Sequence, residues 1–239
     1  NSKADSGAVY VYSFSGFQWQ QTHYIKSENI QESAQFGHHA DLDESLMIIS
    51  APNHLSEGSN ILFGTNHPKK VLLPTQDIGL EWIDDKNYDD SNWTTTTGGI
   101  GFEKEPNRLS KRSYLGLYDL DLSREMFDNA TPQTTLYVRI PFKIKDKDKI
   151  NSLKIFMQCD DGFILYLNSS EIYRFNSPPN PDWRSASSSY YWDEGVIEGD
   201  VISLDEHVNK LLEGNNLLAI HAMNSDGVAA LRDISTDFL

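Results

Sequence analysis

The sequence lacks three features that would each assign the protein to a broad class. No stretch of about 18 apolar residues occurs among the 239, so no membrane-spanning helix is predicted. Cys159 is the only cysteine, which excludes an internal disulfide. Basic residues are few, and 20 of them against 35 acidic residues give a net charge of −15. This acidic surplus argues against nucleic acid and anionic membrane surfaces as partners, because both attract basic faces.

Recognisable catalytic motifs are also missing. The sequence contains no G-x-S-x-G elbow, no P-loop and no dinucleotide fingerprint, and its seven histidines show no H-E-x-x-H spacing. No carboxylate is marked by its neighbours as a buried acid. We therefore predict that the chain is not an enzyme, and that any catalysis belongs to a neighbouring domain of a longer protein.

The segment 153–176 carries the clearest strand pattern. Apolar residues alternate with other residues, as in half-buried strands, at Leu153, Ile155, Met157, Phe163, Leu165 and Leu167. We predict an antiparallel hairpin of strands 153–159 and 163–168, with Asp160 and Asp161 in its tight turn and Gly162 permitting the reversal. A third strand follows the turn that begins at Asn168.

The remaining pattern predicts an all-β chain with one short helix. Further strands are expected at 8–12, 19–25, 46–50, 136–144 and 217–223. Ser203 and Glu206 form a capping box and Gly214 a C-terminal stop, so a helix is expected at 204–213. Because strands do not alternate with crossover helices, we predict an antiparallel jelly-roll β-sandwich. The predicted domains are a β-repeat at 1–53, a linker at 54–75 and the jelly roll at 76–239.

The N-terminal part resembles a known repeat. Phe36–Gly37 and Ala51–Pro52 stand at the name-giving positions of an FG-GAP repeat, the unit of integrin-type β-propellers. In the calcium-binding version of the repeat an Asp-rich loop contains a glycine, whereas here only Asp41 and Asp43 remain. A propeller needs several blades, so one partial blade does not stand alone. We prefer the interpretation that further blades belong to a longer chain; the alternative is packing on the second domain or on another chain.

A second resemblance covers the predicted jelly roll. The matching positions are Trp82, 88–91, Trp93, 99–102, 136–142, 160–163, 166–168, Arg174, Asn176, 216–220 and 235–239. They are similar to a module of large secreted and surface proteins of environmental bacteria, often found beside lamin-tail or CotH-type domains. The resemblance implies a galactose-binding-domain-like jelly roll and an extracellular or cell-surface location. Ser169 departs from the family, where Gly is usual after Asn168.

Two sets of carboxylates are candidate Ca²⁺ ligands. Asp160 and Asp161 supply acceptor-only oxygens on a loop, as a hard cation requires. Four residues are expected around them: Asn168, Arg174, Asn176 and Asp237. Alternatively, Asp160 caps the turn and Asp161 pairs with Arg174 or Arg139. The second set is the acidic run of Asp84, Asp85, Asp89 and Asp90, for which a solvated loop with Asx turns is the alternative.

The loop 176–192 is the predicted ligand site. It combines small polar residues with four large aromatic ones, Trp183, Tyr190, Tyr191 and Trp192, and Arg174 and Asn176 complete the candidate set. Aromatic rings with a few polar groups suit sugars, and loops on a rigid sandwich commonly carry binding sites. The alternative is that the rings cover the open end of the sandwich.

These observations lead to three functional hypotheses. The first is a non-catalytic extracellular module that binds glycans or another cell-surface polymer in adhesion, with Ca²⁺ as its candidate cofactor. The second is a structural spacer that contacts other blades or domains of a longer chain. The third is an accessory domain of a secreted hydrolase. Exposure of the aromatic residues in loop 176–192 distinguishes the first hypothesis from the second.

Overall fold

The computed structural model describes residues 6–27, 34, 36–37, 40–42, 47–49, 61–64, 66–84, 87–101, 118–124, 133–189 and 199–225. The chain divides into two compact units, Asn1–Ile61 and Leu62–Leu239. Strands dominate both units, and the predicted all-β, mainly antiparallel fold is confirmed. No helix among these residues is long and apolar enough to cross a membrane.

The first unit contains two short antiparallel strand pairs. Strands β1 (Val9–Phe14) and β2 (Trp19–Ile25) form a hairpin, and β3 (Ala40–Leu42) pairs with β4 (Met47–Ile49). Phe36 forms a parallel bridge with Gly7, and Gly37 has a positive φ of 90°. Ala51–Pro52 lie outside the described residues, so the resemblance to an FG-GAP repeat stays a prediction.

The second unit is built on a six-stranded antiparallel sheet. In spatial order its strands are β12 (Ser170–Phe175), β11 (Gly162–Leu167), β14 (Gly214–Met223), β9 (Thr135–Ile144), β5 (Lys69–Leu72) and β6 (Thr94–Thr96). Two smaller sheets accompany it. In one, β10 (Lys154–Met157) pairs antiparallel with β13 (Asp200–Ser203), and in the other, β7 (Gly99–Gly101) pairs in parallel with β8 (Tyr118–Asp121).

The central strands of this sheet are buried on both faces. On one face, side chains such as Val138 and Ile140 belong to the main core, which also contains Met157 of β10 and Ile100 of β7. On the other face, Tyr137 and Ala219 join a smaller, aromatic cluster with residues of the short helix α1 (Glu81–Asp84). The near-continuous burial of β9 and β14 follows from this arrangement, because each strand has a covered surface on both sides.

The predicted hairpin of 153–159 with 163–168 is wrong. Strand β10 pairs with β13, whereas β11 pairs with β12 and β14, so the chain passes from one sheet to another between Met157 and Gly162. Asp161 makes this passage with a φ of 61°, a left-handed conformation that Asp tolerates better than most residues. Alternation identified both strands correctly, but it carries no information about which strand lies beside which.

Two other boundaries differ from the prediction. Strand β5 lies within the segment 54–75 that we interpreted as a linker, and its Val71 is a core residue. The helix predicted at 204–213 is a shorter 3-10 helix, Asp205–Lys210, whose N-cap residue is Leu204 and makes no side-chain cap hydrogen bond. Ser203 ends β13 instead of capping the helix, because its backbone pairs with Lys154.

Candidate functional site

The aromatic cluster covers the face of the six-stranded sheet that lies opposite the main core, and it includes side chains of the two central strands. Tyr137 pairs with His221, and Arg139 pairs with Ala219, so these four side chains share one face of β9 and β14. Trp82 of α1 stacks on Tyr137, with ring centroids 4.2 Å apart and planes inclined by 17°. This contact covers the face with aromatic rings of the cluster, which we also call the aromatic layer.

Arg139 is buried in that layer and has well-defined partners. Its Nε lies 2.9 Å from Asp90 Oδ2, Nη1 donates to the carbonyl oxygen of Trp82, and the guanidinium lies 4.9 Å from the Tyr88 ring centroid. Asp90 belongs to the acidic run that we interpreted as a calcium candidate. The structure instead uses its carboxylate to compensate a buried cation.

The other carboxylates of the acidic run also have protein partners. Asp84 Oδ1 accepts a hydrogen bond from Ser169 Oγ at 2.6 Å. Asp89 accepts the Ser91 N–H at 3.0 Å, an Asx turn, and hydrogen bonds from Ser91 lower the pKa of Asp89. Asp85 lies outside the described residues. These contacts support the loop alternative, and no group of three or more His, Cys, Asp or Glu suited to a metal occurs in the described part of the chain.

His221 and Tyr137 are titratable groups that the sequence reasoning did not single out. His221 is 4% exposed, and burial lowers its pKa to about 4, an effect that the nearby Asp182 carboxylate partly opposes. Burial also raises the pKa of Tyr137. The Thr135 hydroxyl lies 3.4 Å from His221 Nε2. The sequence contained only a weak indication of a buried titratable group here, namely one histidine within the otherwise apolar run 217–223.

Asp160 and Asp161 lie where three strand ends converge. Gly162 begins β11 opposite Met223 of β14, and Phe163 lies opposite Phe175 at the end of β12. Both carboxylate residues are completely buried. Asp161 Oδ2 accepts the Ser225 N–H at 2.6 Å, and its carbonyl oxygen accepts Asn176 Nδ2 at 2.9 Å.

The four other residues expected around these carboxylates differ in whether they contact them. Asn176 contacts Asp161, as predicted. Arg174 forms a bidentate ion pair with Glu171 at 2.6 and 2.7 Å and donates to the Pro178 carbonyl, so the alternative in which Arg174 pairs with Asp161 is wrong. Asn168 lies at the opposite end of β11, where it accepts the Leu217 N–H. Asp237 lies outside the described residues.

Loop 176–189, the described part of the predicted ligand site, is fixed by hydrogen bonds along its length. Ser188 N–H donates to Asn176, Ser187 N–H donates to Asn224, and the Thr135 hydroxyl donates to the Ser185 carbonyl at 2.7 Å. The loop is therefore held on β14 and β9, the two central strands. These hydrogen bonds stabilise its backbone conformation.

Trp183 is half-buried in this loop and packs against the aromatic cluster. The Arg184 guanidinium lies over its ring, 4.2 Å from the centroid. Asp182 and Arg184 are both exposed, and Asp182 Oδ1 accepts the Arg184 N–H at 2.8 Å. Trp183 is thus partly exposed, with the Arg184 guanidinium over its ring. Tyr190, Tyr191 and Trp192 lie outside the described residues.

Comparisons with known proteins give partial structural similarity. No protein family and no curated protein sequence matches the chain. Similar solved structures include a beta-glucuronidase from glycoside hydrolase family 2, with 17% identity over 68% of this chain and a TM-score of 0.39. A calcium-binding mutant of Bacteroides uniformis beta-glucuronidase 2 has 12% identity over 68% and a TM-score of 0.39, and a beta-glycosidase from Bacteroides vulgatus has 17% over 72% and 0.37. This chain spans 14% of the length of the first two and 19% of the third.

Proposed function

We propose that the chain is a non-catalytic extracellular module that attaches a larger protein to glycans. The observation that carries this proposal is the arrangement of Asp182, Trp183 and Arg184 on the fixed loop 176–189. The carboxylate accepts hydrogen bonds from sugar hydroxyls, the guanidinium donates them, and the part of the indole ring that Arg184 does not cover contacts the apolar face of a sugar. Because the loop is held by hydrogen bonds to β9 and β14, binding requires little ordering of the backbone.

Calcium belongs to this proposal at the strand ends, with Asp160 and Asp161 as its carboxylate ligands. Both residues are completely buried at these strand ends, and their carboxylate oxygens are the ligand type that calcium prefers. The Asn224 amide oxygen, in the residue that follows β14, is buried and has no hydrogen-bond partner among the described residues. Its oxygen is of the kind that calcium accepts beside carboxylates. Here the ion would tie three strand ends together and support loop 176–189, since Asn176 contacts both Asp161 and Ser188 of the loop.

The proposal is tested by screening the purified chain on a glycan array with Ca²⁺ and with EDTA. Binding to a defined group of glycans is expected, and it should weaken in EDTA. An array on which no glycan retains the protein under either condition would contradict the proposed function. Binding that is equal under both conditions would keep the glycan function and remove calcium from it.

A structural spacer is the second candidate function. It is favoured by the packing of Trp183 against the cluster of Trp82 and Tyr137, which uses part of the ring for stability. A spacer needs no ligand contact from Asp182 and Arg184, so glycan binding by the wild type and its loss when both residues are substituted would distinguish the two functions. Under the spacer hypothesis no glycan retains the wild type, so the double substitution has no binding to reduce.

A further inference from the structure

The hairpin of the first unit is an uncharged and strongly aromatic segment. Residues 9–25, which comprise β1, its turn and β2, contain no Lys, Arg, Asp or Glu, although 23% of the whole chain is charged. Six aromatic residues occur in the segment, and each is more than half exposed: Tyr10, Tyr12, Phe14, Phe17, Trp19 and Tyr24. A surface whose only role is contact with water carries charged side chains instead.

Five of these rings lie on one side of the hairpin. Alternation along β1 places Tyr10, Tyr12 and Phe14 on the same face. Tyr24 contacts Tyr10 with centroids 5.0 Å apart, and Trp19 contacts Phe14 at 5.3 Å. We call this surface, formed by Tyr10, Tyr12, Phe14, Trp19 and Tyr24, the aromatic face.

A β-bulge assembles the aromatic face. Trp19 and Tyr24 are five positions apart, so regular alternation would place them on opposite sides of β2. The register shifts between Val11, which lies opposite His23, and Tyr12, which lies opposite Gln21. Thr22 is therefore an extra residue, and its hydroxyl donates to the Val11 carbonyl at 3.2 Å. The bulge places Tyr24 on the same side of β2 as Trp19. Bulges often redirect side chains in this way beside binding sites.

The two sides of the hairpin differ in chemistry. The aliphatic residues Val9, Val11 and Ile25 are half-buried and lie on the other side. The aromatic face has no aliphatic side chain, and the exposed amide of Gln21 lies across from Tyr12. Surfaces that pack into a protein core are filled mainly by aliphatic residues. The aromatic face instead combines flat rings with phenol hydroxyls and an amide.

We propose that the aromatic face binds a neutral polysaccharide chain, an inference that rests on the proposed glycan function and names its ligand class. The C–H faces of sugar rings contact aromatic rings, while tyrosine hydroxyls and Gln21 hydrogen-bond to sugar hydroxyls. The absence of Lys, Arg, Asp and Glu from residues 9–25 matches a neutral ligand, since the segment has no Lys or Arg to pair with a carboxylate or sulfate. The net charge of −15 also disfavours anionic polysaccharides.

The size of the face favours a narrow ligand over a second copy of the chain. Half-exposed aromatic residues offer on the order of 100 Å² each, so the five rings offer roughly 500 Å². A stable protein interface buries about 800 Å² on each partner. From Tyr10 to Phe14 the face extends about 13 Å along the strand, which suits a few consecutive sugar rings of an extended chain.

The experiment measures depletion of the full chain from solution by insoluble cellulose, xylan and mannan, with polygalacturonate as the anionic comparison. We expect at least one neutral polysaccharide to retain the protein and polygalacturonate not to retain it. Trp19→Ala should weaken binding about two- to twelve-fold, the effect expected of one aromatic contact. Trp19→Phe should stay close to the wild type because it keeps a ring. Phe17→Ala is the matched control, since it removes an exposed ring from the turn and not from the aromatic face.

Three outcomes would overturn the inference. If Trp19→Ala binds as the wild type does while Trp183→Ala loses binding, the glycan function stands and its site lies in the second unit. If no polysaccharide or array glycan retains the wild type, the proposed function fails as well. If sedimentation shows a dimer that Trp19→Ala converts to a monomer, a second copy covers the aromatic face. If Trp19→Ala loses the circular-dichroism spectrum of the folded protein, Tyr12→Ala replaces it. Tyr12 lies at the centre of the aromatic face, and the same outcomes apply to that variant.

Discussion

Arg139 and Asp90 form an ion pair of 2.9 Å in which the arginine side chain is 5% exposed and the aspartate side chain 26%. The pair joins the central strand β9 to the loop that follows α1. It also places Asp90 beside the aromatic layer formed by Trp82 and Tyr137. A carboxylate from an acidic surface loop thereby becomes a structural partner of the sheet.

Asp90→Asn should therefore destabilise the protein. It removes the negative charge beside a buried guanidinium, which costs about 2 kcal/mol of the free energy of unfolding, moderated by the partial exposure of Asp90. Asp89→Asn is the matched control, because Asp89 is exposed and Asn still accepts the Ser91 N–H; it should change stability by less than about 0.5 kcal/mol. Urea unfolding measures both. Equal stabilities of the two variants would show that the ion pair contributes little.

Stability should fall at acidic pH in a way that depends on His221. Burial lowers its pKa from 6.5 to about 4 in the folded state, so the unfolded chain binds a proton first as the pH drops. This contribution is complete above pH 6.5 and is lost as the pH falls toward 4, amounting to about 3 kcal/mol at most. His221→Gln should show a smaller decrease between pH 7 and pH 4.5 than the wild type in urea unfolding. Parallel pH profiles for the two proteins would contradict the assignment.

Calcium should stabilise the second unit if the strand-end carboxylates hold it. A ligand that binds only the folded state at 100 times its Kd adds about 2.7 kcal/mol to the free energy of unfolding. Thermal unfolding in saturating Ca²⁺ and in EDTA measures this difference, and Asp161→Asn should abolish it. Asp84→Asn is the control carboxylate and should preserve the Ca²⁺ response. A melting temperature that is the same in Ca²⁺ and EDTA would remove calcium from the proposal.

Trp183→Ala should weaken glycan binding and also lower stability modestly. The ring is half-buried against the aromatic cluster, so its removal costs packing as well as a ligand contact. Trp183→Phe should restore most of the stability, and Arg184→Ala should leave stability almost unchanged because Arg184 is exposed. Reduced binding in Arg184→Ala at unchanged stability identifies a ligand contact. Full binding in both Arg184→Ala and Asp182→Ala would show that the glycan site lies outside loop 176–189.

The sequence predicted the strands of the second unit better than their neighbours. Alternating apolar residues gave β11, and apolar, strand-favouring composition gave β9 and most of β14, because both signals are properties of each strand alone. The pairing of β11 with β14 joins residues more than 50 positions apart, and no local pattern specifies it. The same limit explains why β5 was assigned to a linker: it has four residues, and its role depends on lying beside β9.

The candidate sites divide in the same way. The sequence by itself determined that Asp160 and Asp161 precede a strand and that residues 176–189 form a polar loop containing Trp183. It also determined that residues 9–25 are uncharged and aromatic. All three are properties of residues that are neighbours in the chain. Only the tertiary structure decided that Asp90 belongs to Arg139, that Asp161 meets Asn176 and Ser225, and that a bulge places Trp19 and Tyr24 on one face. The physical reason is that burial and pairing arise between segments that are distant in the chain. The residue type therefore determines what a side chain can bind, whereas the fold determines which partner it meets.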